Sequence, residues 1–444
     1  MNQGFQNYNN QGFNQNQKSN WDLFTAIWEG NVANVKSLIF QGTNIHVANE
    51  TSRGYIPLTH AVALAQYEIA IILLEYGANP NTADLNGSTP LILALKNLDR
   101  RMNAPDYHNH IWRKMEFLQI VIAKGANVNV EDYYTRNSAL NLAIQNGFDE
   151  ITKLLIENGA DVNYQVPIIT AIEKDNLKIV ELLTSYGAIL FIANHTKRHA
   201  LTLAIEKGNI EIIKSLIEYN KSFNEFDIIN AKDNYGEIPM NLAAKQGNIE
   251  IVKILISNGA NVNAKDIYGK FPLGTAIMEG NVEIAKLLIQ NNADVNSIER
   301  SSYIDMMLYG MDINSRPIEL ALAFENVEMV NLLIRSGAQT NYISSDGSSL
   351  FNIAIEDNSL EVIKTLVENG AKINASDGNF LTPMHKAVIY QRPEIVEYLL
   401  DQGASIHTQA KPSTKCPMLK HSPLEVSLAN RNLDIVKLIC FNTR

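Results

Sequence analysis

The sequence predicts an all-α protein built as an array of repeats, and three observations support this. The segments GNIEIVKILISNGANVNAKD (247–266), GNVEIAKLLIQNNADVNSIE (280–299) and GFDEITKLLIENGADVNYQV (147–166) are copies of one pattern. A proline, or a residue in its place, precedes each copy, and the commonest step between these markers is 33 residues. Proline suits the first turn of a helix and glycine its end, so each period predicts a helix pair. The twelve markers are Asp22, Pro57, Pro90, Ala139, Pro167, Ala200, Pro239, Pro272, Pro317, Leu350, Pro383 and Pro423.

Composition narrows the class of protein. The chain has 444 residues, of which 46% are hydrophobic and 19% charged, and its formal charge is −10. An acidic surface repels nucleic acid, so we expect no nucleic-acid partner. No apolar run approaches the roughly 20 residues that span a bilayer, and the N-terminus has no signal-peptide pattern. Residues 1–20 are mostly Asn and Gln, and such composition predicts a disordered tail.

Each part of the repeat has a physical reason. The marker begins an inner helix, because proline has a preset φ and loses no hydrogen bond there. A small residue four positions later lets helices approach closely. A Gly-Asn pair ends the inner helix, and an apolar outer helix such as residues 249–257 follows until the next glycine. The alanines at the small position include Ala61, Ala94, Ala143, Ala243 and Ala276.

The period and its opening motif resemble the ankyrin repeat family. TPMHKA (382–387) and IPLTHA (56–61) are close to the family's T-P-L-H-x-A motif. The resemblance implies an all-α dominated solenoid of antiparallel helix pairs with projecting β-turn fingers. It covers residues 21–444 as about twelve repeats, including divergent terminal caps. It also implies that His385 is a structural hydrogen-bonding residue between fingers, whereas His60 lies one position late.

Insertions interrupt the period at several places. Fifteen residues enter between the two helices of the third repeat, and twelve enter the finger after the eighth. The second insertion lies in IERSSYIDMMLYGMDINS (298–315). Aromatic and Met side chains on a projecting finger suit partner binding, but they equally suit packing back onto the array. The candidates are Tyr303, Met306, Met307 and Tyr309.

Tyrosines recur on other fingers as well. In AKDNYGE and AKDIYGK, Tyr235 and Tyr268 precede the turn glycine, and Tyr133 and Tyr134 lie on an earlier finger. For any single tyrosine, plain solvent exposure is the simpler interpretation. A row of tyrosines on successive fingers favours a partner-binding surface.

Catalytic and metal-binding patterns are weak throughout. His407, Cys416, His421 and Cys440 lack the short paired spacing of zinc ligands, and His108 with His110 is a similarly weak pair. The basic and aromatic group around Trp112 is diluted by neighbouring acids. No Gly-rich phosphate loop, G-x-S-x-G or H-E-x-x-H occurs. We therefore expect no enzyme activity, no catalytic residue, no metal and no cofactor.

Two function hypotheses remain. The first is a scaffold that binds another protein on its concave face and fingers; the partner is a host protein if the source is a pathogen or virus. The second is self-association through the C-terminal repeat, where Ile435, Ile439 and Phe441 lie on the last outer helix without an evident cap. For both we expect a cytoplasmic location, or the host cytosol for a translocated protein.

Overall fold

The computed structural model describes residues 15–48, 54–96, 107–191, 198–223, 227–300, 314–341, 343, 347–378, 380–410 and 421–441. The chain divides into two compact parts, residues 1–219 and 220–444. We call them the N-terminal half and the C-terminal half.

The N-terminal half consists of six helix pairs, in which a short inner helix is followed by an outer helix. Helix α12 runs past the division at residue 219. The inner helices are α1 Gln15–Trp28, α3 Pro57–Ala63, α5 Pro90–Lys96, α7 Ala139–Gln145, α9 Pro167–Glu173 and α11 Ala200–Lys207. The outer helices are α2 Val32–Phe40, α4 Tyr67–Glu75, α6 Tyr107–Ala123, α8 Asp149–Glu157, α10 Leu177–Ser185 and α12 Ile210–Phe223.

The C-terminal half repeats the same arrangement. Its inner helices are α13 Pro239–Lys245, α15 Pro272–Met278, α17 Pro317–Ala323, α19 Leu350–Glu356, α21 Pro383–Ile389 and α23 Pro423–Ala429. Its outer helices are α14 Ile249–Ser257, α16 Val282–Gln290, α18 Val327–Arg335, α20 Leu360–Glu368, α22 Pro393–Asp401 and α24 Leu433–Phe441. The all-α solenoid predicted from the period is confirmed, and each marker after Asp22 is the first residue of an inner helix.

Packing within each half follows the repeat order. Inner helices α1, α3, α5, α7 and α9 each contact their own outer helix and the next inner helix, and α13, α15, α17, α19 and α21 do the same. The alanines at the small position have no exposed surface in any of the five repeats named above, which permits this close approach. The buried residues of a repeat therefore lie partly against the next repeat, and stacking supplies the core.

Glycine ends several of the inner helices, as the sequence predicts, while residues such as Ala65 and Asp175 take the same positive φ after others. Gly208, Gly247 and Gly280 have φ values of +73°, +70° and +70° after their inner helices, the left-handed conformation that favours glycine. Several outer helices are preceded by an N-cap asparagine such as Asn248, whose side chain accepts a hydrogen bond from the Ile251 amide at 3.2 Å.

Helix α1 differs from the prediction. It begins at Gln15, seven residues before the marker Asp22 and inside the segment predicted to be disordered. No proline or glycine occurs between residues 15 and 28, so nothing in the sequence stops the helix from extending towards the N-terminus. The rest of that segment, residues 1–14, lies outside the described residues.

Part of the third repeat's insertion extends helix α6. This helix has 17 residues, whereas α4 and α8 have nine each. The Lys114 side chain is buried, with its Nζ 4.9 Å from the centre of the Phe148 ring. The extension therefore packs against the neighbouring repeat.

Two short antiparallel strands flank the insertion after the eighth repeat. Strand β1 (Glu299–Arg300) pairs with β2 (Asn314–Ser315), with Glu299 opposite Ser315. Residues 301–313 lie outside the described residues, and the four candidates Tyr303, Met306, Met307 and Tyr309 lie among them.

The exposed apolar surface of α24 agrees with the prediction at Phe441 but not at Ile435 and Ile439. Ile435 and Ile439 have no exposed surface, and their helix packs against α22 and α23. The exposed apolar side chains of this repeat are Leu428, Leu433 and Phe441, at 57%, 70% and 72%.

Candidate functional site

An aspartate at the base of the turn shapes several of the finger tips. The Asp233 carboxylate accepts hydrogen bonds from the Tyr235 amide at 2.9 Å and the Glu237 amide at 3.0 Å. Asp266 accepts from the Tyr268 and Lys270 amides at 2.8 and 2.9 Å in the next finger. Burial raises the pKa of Asp266, although these amides and the nearby lysine oppose that effect. Both fingers thus hold their tyrosines in the same position.

Asparagines join each finger to the next repeat. The Asn263 side chain donates to the Asn292 carbonyl at 2.9 Å and accepts from the Asp294 amide at 2.8 Å. Asn129 does the same with the Gly159 carbonyl and the Asp161 amide, at 3.0 and 2.8 Å. Each asparagine satisfies backbone groups at the end of an outer helix, which would otherwise require water. We call this series the asparagine ladder: Asn81, Asn129 and Asn163 in the N-terminal half, and Asn230, Asn263, Asn296, Asn341 and Asn374 in the C-terminal half.

The asparagine ladder was not among the features predicted from the sequence, although the sequence carries a signal for it. Seven of these asparagines lie four residues after the glycine or asparagine that ends an outer helix, as in Gly259 and Asn263. Asn230 follows a longer, irregular finger and does not keep this spacing. The recurring asparagine thus marks a bond between repeats and not only a polar loop.

An exposed apolar row runs along three fingers of the N-terminal half. Leu85 is 81% exposed and Tyr133 and Tyr134 are 60% and 66% exposed. The two tyrosine rings meet edge to face with centres 5.5 Å apart. Tyr134 donates its hydroxyl hydrogen bond to the Asn86 side chain of the preceding finger at 2.9 Å, and Tyr164 donates to Glu131 at 2.6 Å. The hydroxyl groups of Tyr134 and Tyr164 therefore have hydrogen-bond partners, while the rings of Tyr133 and Tyr134 stay exposed.

Charged groups behind these tyrosines fix the finger. Lys96 Nζ lies 2.7 Å from the carboxylate of Asp132, which is fully buried, and 5.6 Å from the centre of the Tyr134 ring. Burial alone would raise the pKa of Asp132, but hydrogen bonds from Lys96 and Thr135 outweigh burial and lower it. The hydrogen bond from Tyr164 likewise lowers the pKa of Glu131.

The C-terminal half carries a second exposed row. Tyr235, Ile267 and Tyr268 are 44%, 59% and 52% exposed. The Ile267 amide donates to the Gly236 carbonyl at 3.1 Å, and the Ile267 side chain lies against the same glycine. On the following finger, Ile298 is 44% exposed and its carbonyl accepts from Lys265 Nζ at 2.8 Å. Three successive fingers are thus linked by direct contacts.

The motif histidine has the structural role that the resemblance implied. His385 Nδ1 accepts from the Thr382 amide at 3.2 Å, and Nε2 lies 3.1 Å from the His421 carbonyl of the next finger. Burial lowers its pKa, partly opposed by that carbonyl and by Asp377. His60, one position late, instead contacts the ring of Phe24 with centres 5.3 Å apart.

The four described candidates, Tyr133, Tyr134, Tyr235 and Tyr268, all lie exposed on finger tips, and their role in binding stays a prediction. Within the described part of the chain, no group of His, Cys, Asp or Glu is arranged to hold a metal ion. Across those same residues, no helix is both long and apolar enough to cross a bilayer. In the basic group near Trp112, Arg113 pairs with Glu116 at 2.9 Å.

Stacked helix pairs joined through bonded fingers define a helical repeat protein. The family profile described as "Ankyrin repeats (3 copies)" matches residues 23–104, 164–227, 224–299 and 318–410. The profile "Ankyrin repeat" matches residues 135–167. The chain belongs to the ankyrin repeat family, whose repeats are protein–protein interaction modules.

Curated relatives share this architecture over part of their length. The B-cell lymphoma 3 protein homolog of Mus musculus is 26% identical over 207 residues, which are 44% of this chain and 43% of that protein. Putative ankyrin repeat protein FPV014 of Fowlpox virus (strain NVSL) is 31% identical over 142 residues, 32% of this chain and 28% of that protein. This chain therefore spans less than half the length of either relative. The crystal structure of the ankyrin repeat domain of Bcl-3 matches 53% of this chain and 99% of that chain, at 22% identity and a TM-score of 0.45.

Proposed function

We propose that this chain is a non-enzymatic scaffold that binds a partner protein through its finger tips and the adjoining face of its inner helices. The observation that carries the proposal is the exposed row of apolar side chains on successive fingers in each half. Tyrosine is a common anchor residue in protein interfaces, because its ring supplies contact area at a small entropic cost.

Rigidity supports this role as much as exposure does. The asparagine ladder, the base aspartates and the contact between Ile267 and Gly236 hold the rings in place before a partner arrives. A preorganised surface loses little conformational freedom on binding, so more of the contact energy appears as affinity. An interface of standard size needs roughly 800 Å² on each partner, which several adjacent repeats supply.

The experiment that tests the proposal is affinity capture with the full chain and three variants. One carries Tyr133→Ala and Tyr134→Ala, and another carries Tyr235→Ala and Tyr268→Ala. The matched control is Tyr76→Ala with Tyr186→Ala. These two tyrosines are 53% and 50% exposed, but they lie at the ends of outer helices.

We expect one finger variant to lose partners that the wild type and the control both capture. Unaltered circular dichroism must accompany the loss, so that it reports on binding and not on unfolding. If both finger variants capture the same proteins as the control, the fingers are not the binding surface. A fourth protein that lacks residues 301–313 tests the separate prediction for Tyr303, Met306, Met307 and Tyr309.

The nature of the partner follows from charge and from analogy. We propose a protein and not a nucleic acid, because the chain carries a formal charge of −10. Matched relatives include fowlpox virus proteins, which supports a host protein as partner if this chain comes from a pathogen or virus. In that case we propose the host cytosol as its location, and otherwise the cytoplasm.

Self-association is the second candidate function, and the exposed surface of the repeat formed by α23 and α24 favours it. Leu433 and Phe441 are 70% and 72% exposed on α24. Light scattering over a range of concentrations tests this candidate, with Phe441→Glu as the disrupting variant and Tyr76→Ala as control. A concentration-independent monomer rules it out.

A further inference from the structure

A lysine and a tyrosine occupy the same two positions in two successive fingers of the C-terminal half. Lys232 and Tyr235 lie in the sequence AKDNYG, and Lys265 and Tyr268 lie in AKDIYG, 33 residues later. All four side chains are exposed. The corresponding tips of the N-terminal half, ADLNGS (83–88) and EDYYTR (131–136), have no lysine at this position.

The structure holds these two pairs in register. Asp233 and Asp266 bind the tyrosine amides at 2.9 and 2.8 Å in the same geometry. Ile267 bonds to Gly236 through its amide and covers it with its side chain, so the two tips are locked together. The lysines and the tyrosines therefore form two parallel rows on one rigid surface, which we call the Lys-Tyr ridge.

The charge of the ridge is open to a partner. Among the described residues, Lys232 makes no ion pair, and Lys265 Nζ is bonded to the neutral carbonyl of Ile298 at 2.8 Å. Lys270, which is half-buried on the second of these fingers, lowers the pKa of Asp266 through its charge, against the larger effect of burial. On a protein of formal charge −10, Lys232 and Lys265 therefore place exposed positive charge beside exposed aromatic rings, although the buried Asp233 and Asp266 adjoin them in sequence.

The distance from one finger to the next favours one backbone conformation in a partner segment. Neighbouring helices pack about 8–10 Å apart, which sets the step from one finger to the next. A polyproline II segment rises about 3.1 Å per residue and has three residues per turn, so every third side chain points the same way after about 9 Å. One turn of such a segment advances by about one finger.

We propose that the Lys-Tyr ridge binds an extended acidic segment of a partner protein, with apolar and acidic side chains that each recur every third residue. The apolar side chains contact the rings of Tyr235 and Tyr268, and the carboxylates pair with Lys232 and Lys265. This inference rests on the proposed function and specifies the partner of one part of the surface.

The test uses the full chain and three synthetic fluorescein-labelled peptides. The probe contains three copies of Leu-Pro-Glu, the charge control contains three copies of Leu-Pro-Lys, and the spacing control has the probe's composition in an order that breaks the three-residue period. Fluorescence anisotropy measures the affinity of each. The probe should bind, and both controls should bind at least about tenfold more weakly.

Two variants locate the site. The double variant Tyr235→Ala, Tyr268→Ala should weaken probe binding about tenfold, as expected for anchor residues. Lys232→Glu should weaken binding and reduce its dependence on salt, because exposed charges interact through screened electrostatics. The controls Tyr76→Ala and Lys253→Glu alter an exposed tyrosine and an exposed lysine on outer helices, and they should bind like the wild type.

Three results would overturn the inference: no measurable probe binding, equal binding of the probe and the Leu-Pro-Lys peptide, or ridge variants that bind like their controls. These results are distinct from failure of the scaffold proposal. If capture of partners still depends on the finger tyrosines while the ridge variants bind the probe like the wild type, the scaffold proposal stands. The proposal of an acidic segment as partner is then wrong.

Discussion

Acidification should destabilise the N-terminal half through one buried histidine. His60 lies on α3, 9% exposed, between the rings of Phe24 and Tyr55. Burial lowers its pKa from 6.5 to about 4. In the unfolded chain the same imidazole takes up a proton near pH 6.5. Between these values the unfolded state binds more protons than the folded state, so stability falls as the pH falls.

The size of the effect follows from the two pKa values. From pH 7.5 to pH 5 the unfolded imidazole becomes almost fully protonated, while the folded one stays mostly neutral. The free energy of unfolding should fall by about 2 kcal/mol over this range, at about 1.4 kcal/mol for each pKa unit crossed. Below pH 4 the folded form is protonated as well, and this contribution no longer changes.

Tryptophan fluorescence during urea unfolding measures this loss selectively. The three tryptophans, Trp21, Trp28 and Trp112, all belong to the N-terminal half. His60→Gln should remove about 2 kcal/mol of the pH dependence, whereas His46→Gln, at an exposed position, should keep the wild-type dependence. If His60→Gln loses as much stability as the wild type between pH 7.5 and pH 5, the buried neutral imidazole is not the cause.

Three further predictions concern the fingers. Asn263→Ala removes two hydrogen bonds between repeats, so the free energy of urea unfolding should fall by about 1–2 kcal/mol relative to the exposed control Asn234→Ala. Equal stability of the two variants would show that the asparagine ladder does not stabilise the array. Gly236→Ala should lower the free energy of unfolding by about 1–3 kcal/mol more than Gly280→Ala, as measured by thermal or urea unfolding. Both glycines have positive φ, but only a Cβ at position 236 would lie 2.1 Å from the Ile267 side chain. Lys96→Met should raise the pKa of Asp132 and move acid unfolding of the N-terminal half to higher pH, as measured by tryptophan fluorescence. An unchanged midpoint would show that this ion pair does not stabilise the folded state against acid.

The regular part of the fold could be read from the sequence because its signals are local. Proline at a helix start and glycine at a helix end act through their own backbone dihedrals, so Pro239 and Gly259 have the same meaning wherever they occur. The first repeat has Asp22 in place of the proline, and its helix α1 begins seven residues before that marker, at Gln15.

The candidate site was predictable only in outline. The period placed Tyr133, Tyr134, Tyr235 and Tyr268 on fingers, since the position within a repeat determines the element. It could not show that Tyr134 bonds to Asn86 of the preceding finger, because that contact joins residues 48 positions apart. Nor could it distinguish the buried Ile439 from the exposed Phe441 on the same helix.

The sequence by itself determined the number and order of the helix pairs, because the residues that begin and end each helix act through local backbone geometry. Only the tertiary structure decided which polar side chains join neighbouring repeats and which apolar side chains stay exposed. Those outcomes depend on what the next repeat places opposite each residue. The asparagine ladder and the Lys-Tyr ridge exist because identical positions in successive repeats are brought within contact distance by stacking.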